Sequence, residues 1–332
     1  MLATGLLALI AGLALSLSLS HTLKLALTPA PPTVLPPPPK AEPAPEPPMP
    51  EQAEEAPVPL PHEPLTPDPE EQPAAPVVPA PAAPQVALAP PPIPAWQAFA
   101  VPAKPARAMV AVIIDDMGLD RRRSGKVVEL PAPLTLSYMT YAPQAAQQTA
   151  QAHAHGHELM MHMPMQPLAD LDAGPDVLTD KLPPDELRRR VEADLDRFRG
   201  FVGVNNHMGS RFTANAPGMR IVMNSLKNRG LLFIDSMTTE KSVGSATARE
   251  AGVPTAKRNI FLDDIDVQAA VMSQLAKAEE QARKTGSVIV IGHPHDHTTA
   301  ALAAWLPTLA KKGLTLVPVT TIVAAREAAH GN

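Results

Sequence analysis

Proline placement sets the first limit on what this chain can fold into. Of its 42 prolines, 29 fall in residues 1–107, and runs such as Pro36-Pro37-Pro38-Pro39 exclude both helix interiors and central strands. Cations there are confined to Lys24, Lys40, Lys104 and Arg107, against nine acids. From residue 28 to residue 107 the composition is Pro/Ala/Glu-rich, too poor in apolar surface to offset chain entropy. That segment is expected to be a disordered, locally polyproline-like linker, able to reach on the order of 200 Å when extended. Ahead of it, Leu2 to Leu19 are apolar with only small or hydroxyl interruptions, and no charge appears before Lys24. The run matches the length of a bilayer-crossing helix, so residues 1–27 predict a signal anchor.

The remainder is a different material. Residues 108–332 keep 24 of the 28 cations and 24 of the 33 acids, so this part is neutral. With no basic excess to hold a phosphate backbone, nucleic-acid binding is excluded as an expectation. The chain has no cysteine, which rules out disulfides and thiolate metal sites. Apolar runs at Met109–Asp115, Leu134–Met139, Glu158–Met163, Val202–Asn205, Leu231–Asp235, Ser287–Ile291 and Leu314–Pro318 predict strands. Amphipathic stretches alternate with them, several ending at a glycine suited to a left-handed helix cap, as at Gly156, Gly252, Gly286 and Gly313. The pattern predicts an α/β domain over 108–326, an irregular (β/α) barrel of about seven strands, with a short tail at 327–332. A doubly wound open sheet is the alternative.

In either architecture the carboxyl ends of the strands carry ligands, and here they carry acids and imidazoles. Asp115 and Asp116 end the first strand, where one of them could equally cap a helix. His162 ends the third, while His157, at an odd spacing, faces the other way and reads as plain surface. Asn205, Asn206 and His207 follow the fourth strand, Asp235 and Ser236 the fifth, and His293 and His295 the last long one. Asp116, His162 and His207 form a three-ligand set of the kind that leaves a catalytic zinc an open position, though another histidine could replace either one. A carboxylate beside such a ligand suits a proton acceptor, and His293, first off its strand, suits a proton donor, with His295 possible. Arg258 and Asp263 read either as a pair that holds the base or as a structural ion pair.

Assembled, these residues resemble the divergent polysaccharide deacetylases, bacterial envelope proteins related to metal-dependent carbohydrate esterases. The resemblance covers about Met109–Val323. It rests on Ile113-Ile114-Asp115-Asp116, Gly156-His157-Glu158 to His162-Met163-Pro164-Met165, Asn206-His207-Met208-Gly209-Ser210, Asp235-Ser236 and Ile291-Gly292-His293-Pro294-His295. It implies a periplasmic hydrolase in the bacterial inner membrane, held there by one N-terminal helix, that removes N-acetyl groups from an envelope polysaccharide. It further implies Asp115 as base, Asp116 as ligand of zinc or a similar ion, and His293 as acid. Active deacetylases place two ligand histidines four apart on one helical face, and the matching motif here offers no such pair, so His162 and His207 take those places. Asn205, Asn206, Asp235, Ser236, Arg258, Asp263 and His295 are the substrate-contacting or supporting candidates, and the two asparagine amides are candidate oxyanion donors. The altered motif motivates a second expectation: a glycan-binding or scaffolding protein on the same barrel without catalysis.

Overall fold

The computed structural model describes residues 93–330; the expected anchor and most of the expected linker lie outside them. Among the described residues no helix is long and apolar enough to cross a membrane.

All strands are parallel and follow one winding direction. They are β1 (Met109–Met117), β2 (Thr135–Met139), β3 (Glu158–Met165), β4 (Gly203–Met208), β5 (Leu232–Asp235), β6 (Thr255–Lys257), β7 (Ile260–Phe261), β8 (Ser287–Gly292) and β9 (Thr315–Leu316). The sheet runs β6-β5-β4-β3-β2-β1-β8-β7, with β9 against the start of β1. That is a cyclic order cut between β6 and β7, with no reversal of the kind a doubly wound sheet needs. The two edge strands are joined by only Arg258 and Asn259, so the edges lie within about 11 Å of each other and the sheet curls toward closure. The barrel expectation holds. The count rises to nine because the 255–261 segment is shared: its first part pairs with β5 and its second with β8. Two- and three-residue strands leave no alternation to detect in a sequence.

The helices are α1 (Ala95–Ala98), α2 (Arg121–Val128), α3 (Ala145–Ala154), α4 (Pro184–Leu195), α5 (Ala216–Asn228), α6 (Gly244–Ala251), α7 (Gln268–Thr285), α8 (Asp296–Trp305) and α9 (Val319–His330), of which α2 to α8 cover the outside. Strand side chains alternate between two cores. Val110, Val112 and Ile114 of β1 face the helices with Met161, Met163 and Val204, whereas Met109, Ala111 and Ile113 face the barrel interior with Met160, Ile234, Ile289 and Ile291. The interior is closed at the amino-terminal end by Val319, Ile322 and Val323 of α9 and by Trp96 of α1. Both plugs lie beyond what the composition marked. Trp96 is buried although it precedes residue 108, and α9 runs on to residue 330.

Candidate metal centre

At the carboxyl end of β1 the alternation is deliberately broken. Ile113 points inward and Ile114 outward, so Asp115 points inward and Asp116 would point away. A register shift between Ile114 and Met117 and a left-handed Asp116 (φ 53) turn that side chain back, and both carboxylates line one cavity of about 450 Å³. A non-glycine residue in that region stores backbone strain, which is characteristic of functional sites. Met208 (φ 50), the last residue of β4, and Met237 (φ 52), just past β5, share the same conformation and the same cavity. The capping alternative for the acid pair fails, because Asp120 caps α2, accepting from the Arg123 N–H at 3.0 Å.

His162 and His207 enter from β3 and β4. One ligand atom from each of Asp116, His162 and His207 can be chosen so that all three lie within 4.8 Å of one another. His207 Nδ1 is 2.9 Å and His162 Nε2 3.4 Å from Asp116 Oδ1, yet that buried oxygen receives no aligned hydrogen bond. Two imidazoles and a carboxylate converging without bonding one another fit a divalent cation well. Burial alone would raise the Asp116 pKa and lower that of His162, but each is overcome by its neighbours: the two imidazoles hold Asp116 well below the carboxylate range, and Asp115 and Asp116 hold His162 above the usual imidazole value. The field here favours positive charge.

Asn205 organises the rest. Its Oδ1 accepts from Ser137 Oγ (2.6 Å) and His162 Nδ1 (2.8 Å), which fixes the tautomer and leaves His162 Nε2 as the atom facing Asp116. Its Nδ2 donates to Asp115 Oδ1 (2.8 Å) and Ser236 Oγ (3.1 Å). Asp115 is fully buried, and desolvation raises its pKa despite the nearby histidines. Asn206 ties the ends of β4 and β5, accepting from Ser236 N and donating to the Met208 carbonyl (2.6 Å). With these bonds made, Asn205 has no N–H left to serve as the expected oxyanion donor, while Asn206, which lines the cavity, meets Thr238 Oγ1 with its second N–H only at 3.5 Å.

Across the cavity His293 donates its backbone N–H (2.6 Å) to Asp263 Oδ2 and sets Nδ1 3.0 Å from Oδ1. Gly292 permits that approach, since a Cβ there would stand 3.2 Å from Asp263 Oδ2. Burial would lower the His293 pKa, but the Asp263 carboxylate prevails and it is pushed up to about 9. His295 stacks on His293 (ring centroids 5.6 Å apart) and lies 3.8 Å from Asp263.

Several sequence expectations change. Arg258 and Asp263 do not pair: Arg258 donates to the Ser236 carbonyl (2.6 Å) and the Met237 carbonyl (2.9 Å), and Asp263 serves His293 and Thr298. Asp235 is outside the cavity and anchors the next turn through Met237 N, Ser242 Oγ and Ser245 N. His157 is buried rather than surface, bridging Leu134 N and the Val128 carbonyl. The cavity also takes in Thr238 and Phe261, which no motif marked.

The sequence profile of the divergent polysaccharide deacetylases matches residues 112–323. The uncharacterised Escherichia coli (strain K12) protein YibQ is 33% identical over 214 residues, covering 64% of this chain and 67% of that one. An uncharacterised Haemophilus influenzae protein is 35% identical over 204 residues, covering 61% and 73%. Among solved structures, an uncharacterised protein of Agrobacterium tumefaciens C58 matches with a TM-score of 0.67 at 26% identity, covering 69% of this chain and 95% of that one.

Proposed function

The chain belongs to the divergent polysaccharide deacetylase family, and on that premise we propose that it is a metal-dependent hydrolase that removes N-acetyl groups from an envelope polysaccharide. The observation that carries the reading is the convergence of Asp116, His162 and His207 between a buried carboxylate, Asp115, and a carboxylate-held imidazole, His293. A zinc or similar divalent ion held by the three would supply Lewis acidity toward an acyl carbonyl and toward water.

The chain's own residues carry the protons. Asp115, its Oδ1 held by Asn205 and its pKa raised by burial, takes a proton from the attacking water as the oxygen bonds to the carbonyl carbon. His293, protonated at neutral pH, gives a proton to nitrogen as the C–N bond breaks, so acetate and a free amine leave. Asp263 keeps Nδ1 engaged and directs Nε2, which lies 3.9 Å from Asp116 Oδ2, into the cavity. The apolar run Leu2–Leu19 supports a single-pass inner-membrane anchor with the barrel in the periplasm.

The test is acetate release from N-acetylated glycans by the full-length chain supplied with zinc. Asp115→Asn is expected to lower it by about 100-fold or more while leaving the far-UV circular dichroism intact. Unchanged release in that variant would remove Asp115 from the chemistry. Glycan binding without release by the unaltered chain would favour the scaffolding role instead.

A further inference from the structure

Arg258 is the one cation of the Lys/Arg type among the residues lining the site cavity, and its geometry leaves part of it unused. Nε and Nη2 are committed to the Ser236 and Met237 carbonyls, which fixes the guanidinium plane. Nη1 has no hydrogen bond, and the group forms no ion pair among the described residues. Burial depresses its pKa, with Asp115, Asp235 and Asp264 countering only through space. A charge half-removed from water and left without a contacting carboxylate is costly unless something arrives to meet it.

Phe261 shows where that something would sit. Its ring lies under the guanidinium, 4.8 Å from Cζ to centroid, and edge-on to His293 at 5.5 Å between centroids. The guanidinium and the group that protonates the departing nitrogen thus both contact one ring, Phe261. We propose that Arg258 recognises a carboxylate on the same sugar that bears the acylated nitrogen, so that the substrate class is an acidic N-acetylated glycan rather than a neutral one. A single guanidinium edge facing a cavity that already holds Asp115 and Asp116 matches a monoanion, and the planar fork suits a carboxylate. The assignment of the sugar rests on the deacetylase reading; the anion site itself does not.

The experiment compares two probes with the zinc-supplied full-length chain: chitotetraose, and an N-acetylated tetrasaccharide in which alternate sugars carry a 3-O-lactyl carboxylate. Binding by calorimetry and acetate release are both measured. The acidic probe is expected to bind about 10-fold or more tightly, with the difference in KM rather than kcat. Arg258→Met, which keeps packing on Phe261, should erase that ratio, and Arg258→Lys, which keeps the charge but loses the planar fork, should retain only a small part of it. A purely structural latch would weaken both probes alike in Arg258→Met. Equal affinity in the unaltered chain, or a ratio that survives Arg258→Met, overturns the proposal whether or not acetate appears. Arg258-dependent binding of the acidic probe without hydrolysis of either sinks the deacetylase reading and leaves the anion site standing.

Discussion

At the scale of single residues the site was largely written in the sequence, because its chemistry depends on residue types that are rare at strand ends without a purpose. Asp115, Asp116, His162, His207 and His293 were all legible that way, and the structure brings all five to one cavity. What was not legible was who holds whom. Asp263 stands beside His293 because Phe261 pairs with Ile291 across a strand of two residues, a register no pattern reveals. Of the two roles the sequence offers Asn205, substrate contact or support, the structure shows support: one amide satisfies Ser137, His162, Asp115 and Ser236. Asn205→Ala should therefore act twice. Leaving those buried partners unsatisfied should lower stability by about 1–3 kcal/mol in urea unfolding. Freeing the His162 tautomer should weaken zinc binding by about 10- to 100-fold in a competition titration with a chelating dye. Unchanged zinc affinity would show that the tautomer lock is not needed.

At the scale of elements, the long alternating runs were readable and the plugs were not. The Leu314–Pro318 strand shrinks to Thr315–Leu316, and the chain then turns into α9, whose alanine-rich sequence lacks a clear apolar stripe. The first turn of this helix docks on a buried acid. Glu158 accepts from Thr320 N (3.3 Å), Thr320 Oγ1 and Thr135 Oγ1 (3.1 Å), and Thr135 Oγ1 in turn accepts from Val319 N (3.0 Å). Burial outweighs these bonds and pushes the Glu158 pKa up to about 7 from 4.5. The folded state thus holds this proton more tightly than the unfolded state does. Its stabilising contribution is complete below pH 4.5 and is lost as pH rises toward 7, by on the order of 3 kcal/mol. Glu158→Gln, which stays neutral, should flatten that part of the stability curve. The check is the urea midpoint of both proteins at pH 5 and pH 8. A pH dependence identical in the two would mean that Glu158 does not titrate between those values.

At the scale of the whole molecule, the barrel places its two ends under opposite constraints. The amino-terminal end is sealed by Trp96, Val319, Ile322 and Val323, an apolar closure that serves packing. The carboxyl end gathers acids that repel one another, and a left-handed aspartate besides, so it is built at a cost in stability that a bound cation would offset. The consequence is measurable without any substrate. A ligand that binds only the folded state adds about 2.7 kcal/mol at a concentration 100 times its Kd, and a domain of this size converts that into a rise in Tm of about 5–10 °C. Zinc should produce such a rise over the chelator-treated protein, and the rise should disappear in His162→Ala and in His207→Ala. Asp115→Asn should keep it, because Asp115 is assigned to proton transfer rather than to ligation. If the Asp115 variant lost the shift and Asp116→Asn kept it, the division between the two adjacent aspartates would have to be reversed. The cation would then sit deeper in the barrel, on the carboxylate that Asn205 now holds.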